Sequence, residues 1–201
     1  GGMLLGRFYV ATGQAIAAGM FEGAIRAGIP IWTRTRLVEL LTDRDRVAGA
    51  IVEQDGERFR VTATRGVILA AGGFDHNMPM RARYQSPSLN EDLSLGAEGN
   101  TGDSLVAGQS VGASLSLMEE SWWFPAVAPV KGGTPQILLA ERSLPGSIIV
   151  DQHGERFLNE AMDYMSFGQR ILKRERGGNP VGQMWLVFDQ ENRNSYLLAT
   201  A

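Results

Sequence analysis

The chain has 201 residues, of which 44% are hydrophobic and 20% charged; its net charge is -3 and it contains no cysteine. This composition is sufficient for one or two compact domains with a buried core. The acidic balance lacks the basic surface of a nucleic-acid binder, so we expect no nucleic-acid partner. The absence of cysteine excludes disulfides, thiolate ligands and a cysteine nucleophile, and with only His76 and His153 as imidazoles we expect no metal site.

No apolar run approaches the roughly 18 residues that a membrane-spanning helix needs. The first residues also lack a basic segment followed by a hydrophobic one, which a secretory signal would show. We therefore predict no membrane span and a cytoplasmic location.

The first predicted element is a helix over GQAIAAGMFEGAIRAGIP, where apolar residues recur at helical spacing and Gly28 and Pro30 end the pattern. Gly19, Gly23 and Ala27 form a ridge of small residues on it. Such a ridge lets a helix lie close to a sheet or a ligand, and plain packing on a sheet is the favoured interpretation.

Five predicted strands follow: IPIWTR, LVELLTD, VAGAIVEQ, RFRVTAT and GVILAA. The pair Asp55-Gly56 is a hairpin signal, because both central residues of a type I′ turn need positive φ. We predict a three-stranded antiparallel meander between residues 36 and 65. The run GVILAA lacks polar alternation, which is typical of a strand covered on both faces.

The stretch AAGGFDHN, residues 70 to 77, follows the end of that last strand. Ligands of open α/β sheets bind beyond the carboxyl ends of strands, and glycine lets the main chain approach a cofactor closely. Gly72 and Gly73 are therefore candidate cofactor contacts, although a plain turn would also tolerate two glycines. The phosphate-binding patterns GxGxxG and GxxxxGKS/T do not occur.

A second glycine-rich segment is AEGNTGDSLVAGQSVGASL. Thr101 is the predicted N-cap of a helix, Asp103 suits its first turn, and Ala107, Gly108 and Val111 should form a tightly packed face. The free N–H groups of the helix start could hold an anionic or carbonyl oxygen, or the segment could be an ordinarily capped helix.

From residue 121 aromatic residues and prolines replace the regular apolar pattern, in the segment SWWFPAVAPVKGGTP. This change indicates either a domain junction or the wall of an apolar pocket. Beyond it, SIIVDQHGERFLNE predicts a strand, a turn and the start of a helix, and QMWLVFD predicts a buried strand. Arg156 and Glu160 stand at i, i+4 and are expected to pair on a helix surface. His153 is expected to be exposed.

In this order, the segments VILAAGGFDHN, EGNTGDSLVAGQSVGA, GSIIVDQHGERFLNE and MWLVFDQ resemble the flavoprotein family of fumarate reductases and 3-ketosteroid dehydrogenases. The resemblance implies an α/β (α+β) fold. Residues 1–120 would be part of a Rossmann-like FAD-binding domain with an antiparallel β-meander, and residues 121–201 part of a substrate, or cap, domain. Family members also carry a GxGxxG segment and a closing segment, so we expect an internal fragment that is inactive by itself.

The resemblance also implies FAD as the cofactor and a set of residues that contact it. These expected cofactor contacts are Ala71, Gly72, Gly73, Phe74, Asn100, Thr101, Gly102 and Asp103.

The residues after the RFLNE motif distinguish the chemistries within the family. Fumarate reductases carry an arginine at the fourth position beyond the glutamate, where this chain has Tyr164, followed by Ser166-Phe167-Gly168. The likeness is to 3-ketosteroid Δ1-dehydrogenases, and it implies hydride transfer to flavin N5 with proton removal assisted by Tyr164. Trp122, Trp123 and Phe124 would then line the pocket of a flat, apolar ketone or steroid, and an electron acceptor would complete the reaction.

Two alternatives remain at this stage. The chain could belong to a fumarate-reductase-like flavoprotein of another substrate class, or it could be an inactive fragment that acts as a folded binding module. Tyr164 could also be an ordinary amphipathic side chain at a helix end. Arg142 and Arg156 lie in motifs that indicate structural roles, which disfavours a dicarboxylate substrate. The bond desaturated and the oligomeric state stay open.

Overall fold

A computed structural model of the chain describes residues 11–129 and 132–198. The chain divides into two compact units, Gly1–Val67 and Ile68–Ala201. Both units mix helices with antiparallel strands. The expected division near residue 120 between an FAD domain and a substrate domain stays a prediction. No helix within the described ranges is long and apolar enough to cross a membrane.

Over its described residues, 11–67, the first unit contains one helix and a three-stranded sheet. Its elements are α1 (Thr12–Arg26), β1 (Thr35–Asp43), β2 (Arg46–Gln54) and β3 (Glu57–Thr62). The strands pair antiparallel in the order β1-β2-β3. Asp55 and Gly56, with φ of 52° and 87°, turn the chain between β2 and β3. The predicted meander and its Asp-Gly turn are therefore confirmed, because only a turn with positive φ matches the twist of the paired strands.

The predicted helix is also confirmed, and it ends as expected. Gly28 has a φ of 67°, and the amide of Ile29 donates to the carbonyl of Ala24 at 3.0 Å. This left-handed glycine terminates the helix because a Cβ would be strained there. Open space surrounds the Cα atoms of Gly19 and Gly23. The proposed packing role of the small-residue ridge therefore stays a prediction.

Two predicted strands are wrong. Residues 29–32 are irregular and residues 33–34 form a turn, in which Arg34 has a φ of 54°. Trp32 packs edge-on against Phe59 with ring centroids 5.6 Å apart. Residues 66–71 have no strand partner among the described residues, and Ile68 is 92% exposed. Apolar β-branched residues favour extended backbone, but a strand also needs a neighbouring strand to satisfy its hydrogen bonds.

In the described part of the second unit, the chain forms four α-helices, two antiparallel strand pairs and a short 3₁₀ helix at Glu141–Ser143. The pairs are β4 with β5 and β6 with β7. Its helices are α2 (Met78–Tyr84), α3 (Asp103–Ser110), α4 (Tyr164–Arg176) and α5 (Gln190–Ser195), and its strands are β4 (Ala126–Val127), β5 (Gln136–Ile137), β6 (Ser147–Val150) and β7 (Trp185–Phe188).

The core of this unit lies between the β6–β7 pair and α4. Ile149, Leu158 and Phe167 are buried together, and Leu186 of β7 packs against them. On the opposite face, the paired Ile148 and Val187 are exposed. QMWLVFD thus forms a strand as predicted, but the prediction that it is buried is wrong, because a two-stranded sheet has only one face covered here.

Helix α4 begins later than the sequence pattern predicts. Its first residue is Tyr164, and the N-cap Asp163 accepts a hydrogen bond from the amide of Ser166 at 2.8 Å. The expected helix start within the RFLNE motif is wrong because Glu160 belongs to a loop. Its carboxylate accepts from the amide of Ile149 at 2.8 Å and from the guanidinium of Arg156 at 2.6 Å. The Arg156–Glu160 pair therefore exists, but in a loop and not on a helix.

Glu160 is a buried carboxylate, with only 5% of the residue exposed. Burial raises its pKa, but hydrogen bonds from Arg156 and from the amide of Ile149 outweigh burial and lower the pKa below its ordinary value. Glu160 therefore stays ionised at neutral pH and ties β6 to the loop that precedes α4.

We predict that Glu160→Gln lowers the free energy of unfolding by about 1–2 kcal/mol at pH 7, because a charge-assisted pair becomes a neutral one. The folded-state pKa lies below the ordinary value of 4.5. The stabilisation is therefore present above pH 4.5 and is lost as the pH falls through the folded-state pKa. Urea unfolding at pH 7 and pH 4 measures both effects.

The exposed Glu155 offers the matched control. Glu155→Gln should change stability by less than about 0.5 kcal/mol at either pH. A difference between wild type and Glu160→Gln that stays constant from pH 7 to pH 4 would contradict the role of the ionised carboxylate.

Candidate cofactor and substrate site

The glycine segment after the first unit is shaped by a close contact with Asn100. Ala71, Gly72 and Gly73 are exposed, whereas Phe74 is buried. Gly72 has a φ of 81°, and a Cβ there would overlap the side-chain oxygen of Asn100. Glycine is thus required at position 72 both by the backbone conformation and by the lack of space.

Hydrogen bonds join this segment to the second predicted cofactor segment. The amide of Gly102 donates to the carbonyl of Gly73 at 3.0 Å, and the amide of His76 donates to the carbonyl of Asn100 at 3.0 Å. The side chain of Asn77 also donates to the carbonyl of Thr101 at 2.8 Å. The structure therefore brings together the two segments that the sequence predicted separately, and their contact with a cofactor stays a prediction.

Helix α3 begins beside this contact without a side-chain cap. Its N-cap is Gly102, with a φ of 84°, where a Cβ would lie 2.7 Å from the sulfur of Met80 and 3.0 Å from the Cβ of Phe74. The prediction of Thr101 as the N-cap is wrong, because Gly102 takes that position. The hydroxyl of Thr101 instead donates to the carboxylate of Asp103 at 3.0 Å.

The start of α3 therefore offers both donors and an acceptor. Amides in the first turn of a helix have no partner within the helix, and no side chain caps them here. The exposed Asp103 adds a carboxylate at the same place. As predicted, Ala107 and Gly108 are buried on the packed face of α3, while Val111 is its half-buried C-cap.

Sequence reasoning missed a polar cluster beside the glycine segment. The ring of His76 contacts the carboxylate of Asp92 at 2.8 Å and the carbonyl of Gly96 at 3.2 Å. Nothing in the local pattern indicates this pairing, because the partners are 16 and 20 residues away. His153 is exposed, as expected. Within the described ranges no group of three or more His, Asp or Glu side chains is placed to hold a metal.

An exposed aromatic face forms a second cluster, made of Trp122, Phe124 and Tyr164. The rings of Phe124 and Tyr164 stack at 4.5 Å with an interplanar angle of 21°, and Trp122 lies 5.9 Å from Phe124. Trp122 is 72% exposed and Tyr164 is half-buried. The structure thus brings three of the four predicted catalytic and substrate residues together in one aromatic cluster.

Trp123, the fourth predicted residue, is placed differently. Its side chain lies directly against Gly168 of α4, where an added Cβ would overlap it, and its indole nitrogen is buried without a partner. The neighbouring Phe167 is only 2% exposed and belongs to the core. Trp123 therefore packs on α4, and its predicted contact with substrate stays a prediction.

Two arginines near the start of α4 are occupied by protein groups. Arg142 is 3% exposed and donates to the backbone carbonyls of Glu160 and Met162. Burial lowers its pKa, and the charge of Asp163 partly offsets this. Arg156 pairs with Glu160. Both arginines thus have the structural roles that their motifs indicated.

The sequence matches the FAD binding domain family over residues 5–200. It is 39% identical over 207 residues to a 3-oxosteroid 1-dehydrogenase of Mycolicibacterium smegmatis, an alignment that covers 98% of this chain and 36% of that protein. A probable fumarate reductase of Shewanella frigidimarina is 28% identical, with 90% of this chain and 29% of that protein aligned.

Among solved structures, 3-ketosteroid Δ1-dehydrogenase from Sterolibacterium denitrificans, crystallised with 1,4-androstadiene-3,17-dione, is similar with a TM-score of 0.82 and 36% identity. That similarity covers 92% of this chain and 34% of that one. The chain thus spans about a third of the length of the relatives it matches. The expected resemblance and the cofactor FAD are confirmed, and the chain belongs to the FAD binding domain family.

Proposed function

We propose that the protein carrying this chain is an FAD-dependent dehydrogenase that desaturates a 3-ketosteroid or a similar flat, apolar ketone. The observation that carries the proposal is the exposed aromatic face of Trp122, Phe124 and Tyr164, in a chain whose relatives include 3-ketosteroid dehydrogenases. The glycine segments supply the cofactor side of the site, and the aromatic face supplies the substrate side.

The residues at the glycine contact fit a flavin nucleotide. Exposed backbone without side chains at Gly72 and Gly73 permits a planar ring or a ribityl chain to approach closely. Uncapped amides at the start of α3 suit carbonyl or phosphate oxygens, and the carboxylate of Asp103 suits a ribityl hydroxyl. We assign FAD contacts to the segments Ala71–Phe74 and Asn100–Asp103. The bound flavin would supply the hydride acceptor.

The substrate side is aromatic and largely apolar. Burying a flat ring system on such a surface contributes about 25 cal/mol for each Å² of apolar area removed from water. Trp122, which is mostly exposed, has the largest ring area available for this burial. A fused-ring ketone matches this surface better than a small charged acid does.

Tyr164 is assigned the proton transfer. It is the first residue of α4, where the N-cap Asp163 fixes the backbone, and the stacked ring of Phe124 fixes the orientation of the phenol. A phenol held in this way would take the proton from the carbon beside a ketone as its own proton passes to solvent, while the hydride from the adjacent carbon would go to the flavin. The stacking partner thus serves both substrate binding and orientation of the base.

A dicarboxylate substrate is the less favoured alternative. It would need cationic side chains directed at two carboxylates. Arg142 and Arg156 are bonded instead to Glu160 and to backbone carbonyls of the same loop. Releasing either arginine to a substrate would leave buried acceptors without partners, at a cost of about 1–3 kcal/mol each.

For the cofactor side, we predict that Gly72→Ala weakens FAD binding at least tenfold. The new Cβ would both strain the backbone at positive φ and displace the side chain of Asn100. Quenching of flavin fluorescence on titration with apoprotein measures the affinity.

Gly154 provides a control with a similar φ of 78° and open space around its Cα. Gly154→Ala should cost comparable backbone strain and leave FAD affinity unchanged. Equal affinities for the two variants would refute the assignment of the glycine segment.

For the base, we predict that Tyr164→Phe lowers kcat by about 10²–10⁴-fold with little change in KM, because the ring that stacks on Phe124 is kept and only the hydroxyl is lost. Steady-state kinetics of the flavin-loaded protein give both parameters. Tyr196→Phe, at an exposed tyrosine outside the aromatic face, is the control. Turnover near the wild-type rate would return Tyr164 to a structural role.

For the substrate class, we expect the flavin-loaded protein to reduce an artificial electron acceptor in the presence of a 3-ketosteroid and to leave fumarate unreduced. The assay follows acceptor reduction with the steroid and oxidation of a reduced dye with fumarate. Fumarate turnover together with an inert steroid would reject the steroid proposal and favour the fumarate-reductase-like alternative.

A further inference from the structure

The imidazole of His76 lies between the glycine segment and the loop formed by residues 92–96. Its Nδ1 is 2.8 Å from a carboxylate oxygen of Asp92, and its Nε2 is 3.2 Å from the carbonyl oxygen of Gly96. Both partners only accept hydrogen bonds, and a neutral imidazole carries a single N–H. Only the protonated ring can therefore donate to both partners at once.

The charged groups around the ring favour that protonated form. The carboxylate of Asp75 lies 4.0 Å from Nε2, in addition to the direct contact with Asp92. Arg81 is the nearby cation, and its guanidinium donates to the carbonyl of Asp75 at 3.4 Å. The hydrogen bonds to Asp92 and then to Gly96 raise the pKa of His76 above its ordinary value of 6.5.

Ser94 connects the two carboxylates and stiffens the same loop. Its hydroxyl donates to Asp75 at 2.5 Å, and its amide donates to Asp92 at 3.2 Å. The amide of Gly96 in turn donates to the hydroxyl of Ser94 at 3.1 Å. The loop is thus internally bonded and is attached to the glycine segment through His76 and Asp75.

The 92–96 loop lies close to Asn100, which takes part in the contact between the two proposed cofactor segments. A Cβ at Gly96 would lie 3.2 Å from the side-chain nitrogen of Asn100 and would overlap the carboxylate of Asp75. The other end of the Asn100 amide fills the space beside Gly72. A continuous series of contacts therefore runs from His76 through Gly96 and Asn100 to Gly72.

We propose that His76, in its protonated form, is a positioning residue for the cofactor: it holds the 92–96 loop against Asn100 and so fixes Asn100–Gly102 on Gly72–Gly73. This rests on the proposed FAD contacts of those two segments. His76 is not assigned any contact with the flavin or the substrate.

The direction of the pH dependence follows from the raised pKa. A group whose folded-state pKa exceeds its ordinary value stabilises the fold fully below that ordinary value, here 6.5. The stabilisation is lost as the pH rises through the folded-state pKa. The pairing of the two segments should therefore be tightest under mildly acidic conditions and should loosen toward alkaline pH.

The first test needs no flavin. An NMR titration of the His76 ring should place its pKa above the ordinary value of 6.5. The protection factor of the Gly102 amide against hydrogen exchange, corrected for the intrinsic rate, should fall about tenfold across the His76 titration, as expected for losing one charge-assisted hydrogen bond.

Three variants separate positioning from general stability. His76→Gln should lower the Gly102 protection factor at pH 5.5 to the alkaline wild-type value and remove its pH dependence. Asp92→Asn keeps the imidazole but should move the transition to lower pH. His153→Gln should behave as wild type. Equal protection of Gly102 in wild type and His76→Gln, or a His76 pKa at or below its ordinary value of 6.5, would overturn the proposal.

The second test measures FAD affinity over the same pH range by fluorescence quenching. Affinity should follow the Gly102 protection factor, falling about tenfold through the His76 transition in wild type and staying flat in His76→Gln. A measurable FAD affinity that changes neither with pH nor on the substitution His76→Gln would overturn the positioning role. Absence of FAD binding at every pH by the wild-type protein that carries this chain would instead refute the cofactor assignment of the segments, while the exchange measurement still decides whether His76 positions Gly102.

Discussion

The close backbone contact between Gly72-Gly73 and Asn100–Gly102 is the constraint on which the cofactor side depends. A side chain at Gly72 would overlap Asn100, and one at Gly102 would crowd Met80 and Phe74, so two chain segments can meet only because both positions lack a Cβ. The contact leaves exposed backbone at residues 71–73 beside the uncapped start of α3. A surface of backbone groups suits a ligand that is planar and rich in oxygen atoms.

The proposed substrate side depends on a different feature, the loop before α4 that contains the buried carboxylate of Glu160. Glu160 binds the amide of Ile149 and the guanidinium of Arg156, and Arg142 binds carbonyls of the same loop. Burying charges is costly unless each one is bonded, and this loop satisfies nearly all of them. Helix α4 accordingly starts after this loop, at Tyr164. Arg142 and Arg156 are bonded to protein groups of the loop. The surface proposed for a substrate is therefore mainly aromatic.

The two sides have complementary chemistry. In the proposed function, backbone donors and the carboxylate of Asp103 would bind polar groups, whereas Trp122, Phe124 and Tyr164 would contact an apolar ring. An FAD-dependent dehydrogenase needs both kinds of surface, since the flavin is polar at its ribityl and phosphate groups and a steroid is almost entirely apolar. Close packing requires a glycine in both places. Gly168 leaves room for Trp123 against α4, and Gly72 leaves room for the side chain of Asn100.

The sequence by itself determined the elements that rest on local pattern. Helical spacing located α1, alternation and Asp55-Gly56 located the meander, and the family resemblance implied that both glycine segments contact a cofactor. Only the tertiary structure decided what depends on distant partners: that residues 66–71 are not a strand, that Gly102 and not Thr101 caps α3, that α4 begins at Tyr164, and that His76 meets Asp92. A local pattern records conformational preference and periodicity, but strand pairing, burial and ion pairing are set by residues far apart in the chain. Those contacts form only when the chain is folded.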